Sequence, residues 1–226
     1  TAHFDEEKSV EQSHGRLVFE RSLPDAVRLD ELAAYIQTQL HIIRVTPMDT
    51  RDEFTEAADS TGAIRAGMRQ EAWMRNMVNI YRDGRDELTG DLFSDNKSGF
   101  YVGDTAMADR TADLLCADPV LQQRAREKGC VDVAVSIHSN MSTKAQDDLL
   151  EAFKRGEYMA CVSDSKLKEG FDDPTLKNVF DYPRGSLVDK AQIIGRAARK
   201  WFNEEKGRFE GATIIDTIVY IGSNDP

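Results

Sequence analysis

Apolar and polar positions give the chain two textures, and the change falls near residue 98. Beyond it, short continuous apolar runs alternate with amphipathic stretches. The runs GFYVGD, VDVAVSIHS, YMACVSD, NVFDYP and GATIIDTIVYIG have the length and the branched or aromatic content of strands buried on both faces. Between them AMADRTADLLCADPVLQQRARE, TKAQDDLLEAFKRG and SLVDKAQIIGRAARKWF repeat apolar residues at helical intervals. Pro119 should interrupt or kink the first of these helices, and Gly156 should close the second. Such alternation predicts an α/β fold, with a parallel sheet covered by helices on both faces.

Upstream, GRLVFERS reads as a short strand, and Pro24 as the first turn of a helix carrying Val27, Leu32, Ala33 and Ile36 on one side. A strand over residues 40–46 follows. Residues 49–62 are polar and acidic, and a long helical pattern then runs from about residue 64 to 81. Its stripe of Trp73, Met77, Ile80 and Tyr81 has the spacing of ordinary core. DGRDELTGDLFSDNKSG reads as a loop. The expected division is a lead-in segment with a helical elaboration over residues 1–98 and the sheet core over residues 99–226, all in one lobe.

Composition bounds what such a lobe can do. With 226 residues, 40% hydrophobic and 31% charged, the chain can close one well-packed core. No apolar run is long enough to cross a bilayer, so no membrane role is expected. The first residues, TAHFDEEKSVEQ, lack the basic-then-apolar order of a secretory signal. Cys116, Cys130 and Cys161 are odd in number, scattered and without a CxxC. They read as buried structural thiols rather than zinc ligands, in a reducing, cytoplasmic setting. The formal charge of −11 means that any nucleic-acid role must rest on a few oriented contacts or on basic surface elsewhere.

Two short stretches carry candidate chemistry. In KAQIIGRAARK, residues 190–200, a helical reading puts Gln192, Arg196 and Arg199 within an arc of roughly 60°. Ile193, Ile194, Ala197, Ala198 and Trp201 lie opposite, free to pack on the sheet. Arginine stays charged at any working pH, and its planar fork suits phosphate oxygens. By itself such a helix reads as a solvated face. The second stretch, CVSDSKLKEGFDDP, follows a predicted strand at its carboxyl end, where ligands of parallel sheets bind. There Gly170 permits a tight turn, and Pro174 fixes the exit after Asp172.

The order strand, HSNMS, helix, FKRG, strand, EGFDDP, strand, YPRGS, QIIGRAAR resembles the second RecA-like lobe of superfamily 2 helicases and translocases. EGFDDP looks like motif V, and QIIGRAARK like motif VI in its Q-x-x-G-R-x-x-R form. LLEAFKRGEYMACVSDSKLKEGFDDP is most similar to the branch that holds restriction-enzyme motor subunits and excision-repair helicases. The resemblance covers about residues 99–216 and is thinner before them.

It implies a motor lobe whose Arg196 and Arg199 are arginine fingers reaching the γ-phosphate of ATP, with Gln192 positioning them. Glu169, Gly170 and Asp172 would form the nucleotide-linked loop. Gly103, Asp104, Ser139 and Ser163 would line the nucleic-acid strand, DNA rather than RNA. His138, at the family's strand-end position, reads as structural rather than catalytic. ATP and Mg²⁺ would be held mainly by a first RecA-like lobe of the same polypeptide, because no G-x-x-x-x-G-K-[ST] loop occurs here. FDEEKS looks superficially like an acidic Mg²⁺ motif, but no apolar strand precedes it. TAHF resembles the end of a first lobe, which would make the chain a fragment, inactive alone. Both fingers should then be largely solvent-accessible, on the same side of the sheet as the Gly170–Asp172 loop.

Motif V often begins with Thr where this chain has Ser163 and Asp164, which leaves the register there open by a residue. Two other readings stand beside the motor. A degenerate lobe could serve as a protein-interaction or regulatory module, though it would have no need of Gln192, Arg196 and Arg199 together. A self-contained nucleotide-binding enzyme of doubly wound type would need the Gly-rich loop that is missing.

Overall fold

Parallel strands need crossover connections and cover on both faces, and the computed structural model shows both. It describes residues 36–45, 61–164, 173–182, 199 and 201–221. Six strands form one sheet: β1 (Ile36–Val45), β2 (Lys97–Tyr101), β3 (Asp132–Ile137), β4 (Tyr158–Ser163), β5 (Leu176–Asp181) and, after a small hairpin, β8 (Ala212–Ile221). The hairpin is β6 (Phe202–Asn203) with β7 (Arg208–Phe209). The sheet order is β1-β8-β5-β2-β4-β3, and every neighbouring pair is parallel. From β2 the chain crosses to one edge for β3 and returns through β4. It then passes to the other side of β2 for β5, which makes β2 the point where the winding reverses.

Helices α1 (Thr61–Asp83), α2 (Thr105–Ala117) and α3 (Pro119–Glu127) pack on one face of the sheet, and α4 (Thr143–Lys154) on the other. Asp118 separates α2 from α3. Its carboxylate accepts the Val120 and Leu121 N–H groups at 3.0 Å, and Pro119 takes a first-turn position. The helix is therefore interrupted and restarted, not merely kinked. Gly156, at φ 81°, closes α4 in the left-handed region, where a side chain would be strained.

The core is aromatic at its centre. Phe100 of β2 and Phe180 of β5 are register partners and stack at 4.3 Å with their planes 6° apart. Tyr81 of α1 meets both edge-on at 5.5 and 5.8 Å, and Phe93 meets Phe180 edge-on at 5.8 Å. Trp73 and Met77 are fully buried on the same helix face, so the aromatic and methionine stripe is core. The close turn after α1 requires Gly84, since a Cβ there would lie 2.4 Å from the Ile80 carbonyl oxygen.

Polar groups fill the sheet margin beside α1. Trp73 Nε1 donates to Thr217 Oγ1 at 2.9 Å. Gln37 Nε2 and Thr213 Oγ1 donate to Asp86 at 2.7 and 2.6 Å, and Asp86 also caps the Leu88 and Thr89 N–H groups. This network explains a correction to the expected elements. Ile36, placed on a helix by its spacing, opens β1, and the strand starts four residues before the expected 40. Its pattern is inverted: Gln39 is buried while Leu40 and Ile42 are 56% and 67% exposed. The glutamines face inward because Asp86 and the Arg85 carbonyl await them.

The expected helix through Trp201 and Phe202 is also corrected at its end. Arg199 and Trp201 are non-helical, and Phe202 opens β6, its ring 5.1 Å from that of Phe209. The preceding part of that helix lies outside the described residues, as do the expected strand and helix before Ile36. Cys116, Cys130 and Cys161 are free thiols, and burial pushes that of Cys116 up to about 11.

Replacing Trp73 by Phe keeps most of the packing but leaves the Thr217 hydroxyl without its donor. A urea melt should show a loss of about 1–3 kcal/mol, and an unchanged midpoint would show that the bond contributes nothing.

Candidate functional site

The sheet carries expected site residues at both of its edges. At the carboxyl edge, Gly103 and Asp104 follow β2, Ser139 follows β3 and Ser163 ends β4, on three neighbouring strands. Parallel pairing alone aligns these strand ends, on the edge where ligands of open parallel sheets bind. Short hydrogen bonds tie the rim together. Val102 N–H donates to the Ser163 carbonyl at 3.0 Å and Tyr182 N–H to that of Tyr101 at 2.9 Å. Ser139 Oγ donates to Asp164 at 3.2 Å, and Asn140 Nδ2 to Thr105 Oγ1 at 3.3 Å.

Their local settings differ. Asp104 is the N-cap of α2 and accepts the Met107 N–H at 2.8 Å. At Gly103 a Cβ would stand at ordinary contact distance, 3.5 Å from Met107 Sδ and 3.7 Å from the Tyr182 ring, so packing alone does not require glycine there. Ser163 is fully buried, so the hydroxyl presented at this rim is that of Ser139 instead. His138 is also buried. Its Nε2 lies 3.2 Å from an Asp109 carboxylate oxygen, and its carbonyl accepts Gln146 Nε2 at 3.0 Å. Hydroxyl, amide and helix N-terminal N–H groups can hold phosphate oxygens, whereas Asp104 and Asp164 oppose them.

Arg199 belongs to the opposite, amino edge. Lys177, second residue of β5, donates from Nζ to the Arg199 carbonyl oxygen at 2.8 Å and lies 5.8 Å from the centroid of the Trp201 ring. Arg199 itself is half-buried, with its Nε inside, so it is less accessible than the finger reading expects. Glu169, Gly170, Asp172, Gln192 and Arg196 lie outside the described residues, as does the side-of-sheet relation expected between the fingers and the Gly170–Asp172 loop. Asp173, next after that loop, is described. It pairs with Lys97 at 2.9 Å and holds the Thr175 N–H and hydroxyl at 2.9 and 2.6 Å.

Sequence reasoning missed Lys177. Its signal was a lysine inside LKNVFD, a strand whose residues are all buried. Burial pushes its ammonium down to about 8, and the Glu210 and Asp173 carboxylates pull weakly the other way.

Residues 95–200, a little under half of the chain, match the helicase conserved C-terminal domain. This segment is similar to the C-terminal domain that helicases share. Solved structures of similar fold include a fragment assigned to the HsdR subunit of a type I restriction enzyme from Vibrio vulnificus YJ016. Its TM-score is 0.62 at 17% identity, over 99% of this chain and 43% of that one. The ATP-dependent Type ISP restriction-modification enzyme LlaBIII bound to DNA has a TM-score of 0.55 at 18% identity, over 92% of this chain and 13% of that one. A Saccharomyces cerevisiae Dbp5 variant bound to Gle1 and IP6 has a TM-score of 0.50 at 13% identity, over 98% of this chain and 48% of that one. At these identities the likeness is one of fold, and it is the RecA-like fold of helicase C-terminal lobes. The chain spans less than half the length of each. Among curated proteins none matches significantly.

In this lobe the Lys177 ammonium binds its proton less tightly than an unfolded lysine at 10.5. The unfolded chain therefore holds more protons between the two values, and stability rises with pH there and falls as pH drops through about 8. Against a Lys177→Met variant, the unsubstituted lobe should gain a few kcal/mol between about pH 7 and about pH 10. Urea melts with a pH-independent difference would refute the depressed ammonium.

Proposed function

We propose that this chain is the C-terminal motor lobe of an ATP-dependent DNA helicase or translocase. It would act with a first RecA-like lobe that holds the nucleotide. The observation that carries the reading is the helicase-domain match over residues 95–200, which spans the motif V and motif VI stretches in their proper order. Arg196 and Arg199 then stabilise charge on the transferring γ-phosphate, Gln192 orients them, and Glu169, Gly170 and Asp172 link nucleotide state to the strand. ATP supplies the free energy of γ-phosphate hydrolysis, and this lobe supplies the cations that its transition state needs. Mg²⁺ would be held with the nucleotide's phosphates by the first lobe.

DNA as the track draws support from the restriction enzymes of like fold, one of them bound to DNA. Gly103, Asp104 and Ser139 offer the lobe's contacts to the strand, with Ser163 supporting them from inside the sheet. Because none of them carries a positive charge, the first lobe would be the main source of affinity.

In the full-length protein Arg199→Ala should cut DNA-stimulated ATP turnover by roughly 10³–10⁵-fold, the usual worth of an arginine finger. Arg199→Lys should not restore it, because a point charge lacks the planar fork. Turnover within tenfold of the unsubstituted protein would sink the motor reading.

Residues 1–226 alone should show no Mg²⁺-dependent ATPase with or without DNA, and should bind DNA weakly and with steep salt dependence. Robust hydrolysis by the isolated chain, or tight binding insensitive to salt, would contradict a division of labour between two lobes.

A further inference from the structure

Alone among the lysines of the described residues, Lys177 is buried, at 2% exposure. An isolated buried ammonium is costly, and removing it for an apolar side chain of similar size is often neutral or stabilising. A strand residue in this position has no need of charge for packing: Leu176 and Val179 of the same strand join the apolar cluster beneath α4. What the ammonium does reach is main chain, the Arg199 carbonyl at 2.8 Å, with the Trp201 ring beside it. That carbonyl belongs to the last arginine of QIIGRAARK. Four residues before Lys177, Asp173, the last acidic residue of EGFDDP, is held by Lys97 at the start of β2, whose Nζ also donates to the Lys154 carbonyl at 3.0 Å. The amino ends of β2 and β5 thus hold the chain near the ends of the two motifs, β2 through Asp173 and β5 through Arg199.

We propose that Lys177 is a positioning residue for motif VI, holding the Arg199 main chain against the start of β5 so that the guanidinium is presented to the nucleotide in one geometry. The proposal rests on the finger reading of Arg199. A lysine suits this task because its four-carbon stem spans from the strand to a neighbouring segment and its three donors need only one carbonyl to aim. Displacing a catalytic group by about 1 Å can cost on the order of 100-fold in rate. Loss of the tether should therefore act on turnover before it acts on binding.

The test uses the full-length protein with Lys177→Met, Arg199→Ala and the double variant, measuring DNA-stimulated ATP turnover, KM for ATP, DNA affinity and the melting temperature. Lys177→Met should lower kcat tenfold or more, leave KM and DNA affinity within about twofold, and not lower the melting temperature. The double variant should be no slower than Arg199→Ala, because both substitutions disable one device. Amide exchange at residues 199 and 201–203 should quicken in Lys177→Met, which a purely electrostatic role would not cause. Should Lys177→Met fail to fold, Lys177→Gln is read in its place, since it keeps a donor but is too short to reach the carbonyl. An unchanged kcat in a folded Lys177 variant, beside a crippled Arg199→Ala, overturns the proposal alone. Losses that multiply in the double variant overturn it too. An active Arg199→Ala removes the finger reading and the proposal with it.

Discussion

The stack of Phe100 on Phe180 fixes the centre of this lobe. The two residues sit side by side on adjacent parallel strands, and Tyr81 closes over both from α1. Each strand beside this pair is parallel to it and must arrive by a crossover. The parallel ends of β2, β4 and β3 then set Gly103, Asp104 and Ser139 at one edge. None of these residues is placed by a contact of its own with a ligand. They are placed by where β2, β4 and β3 end.

Apolar packing does not by itself choose a register for the outer strands. On β1 Leu40 and Ile42 are exposed and only Ile43 of the inward residues is apolar core, so hydrophobic burial gives this facing little support. Asp86 supplies that support. It is buried, and Gln37 and Thr213 donate to it from two adjacent strands. A slip of β1 by one residue would withdraw Gln37 from the buried carboxylate, which opposes the gain from covering the two side chains. Trp73 applies the same constraint through Thr217. The margin of the sheet is set by polar satisfaction, and its centre by aromatic packing.

That division explains what could be read from the chain beforehand. Strands β2 to β5 and β8 were legible because they are buried runs bounded by Gly, Pro or acidic residues, and α1 because Trp73, Met77 and Tyr81 keep helical spacing. The start of β1 was not legible, since its inward residues are glutamines whose partner lies 49 residues away in sequence. The β6–β7 hairpin escaped notice because helical periodicity in QIIGRAARKWF runs on through Trp201 without a breaker. At the site, the residue types of the two motifs were plain in the sequence, but the burial of Ser163 was not, since a serine at a strand end looks exposed. Lys177 was the hardest of these, because its function depends on a carbonyl, and every residue has one.

The two edges of the lobe are separated by β5, six residues without an exposed side chain, a span of roughly 17–20 Å. Its register is doubly pinned. Asn178 donates to the Phe93 carbonyl at 2.9 Å and to Ser98 Oγ at 3.2 Å on one face, while Lys177 holds the Arg199 carbonyl on the other. Shifting the strand by one residue would thrust the ammonium toward the aromatic core and turn Asn178 away from both partners. The strand therefore keeps the amino edge, where QIIGRAARK ends, at a fixed distance from the carboxyl edge, where Tyr182 and Gly103 meet. For the function proposed above such a spacer would matter, because work would pass between nucleotide chemistry and strand contact only if the body joining them does not yield.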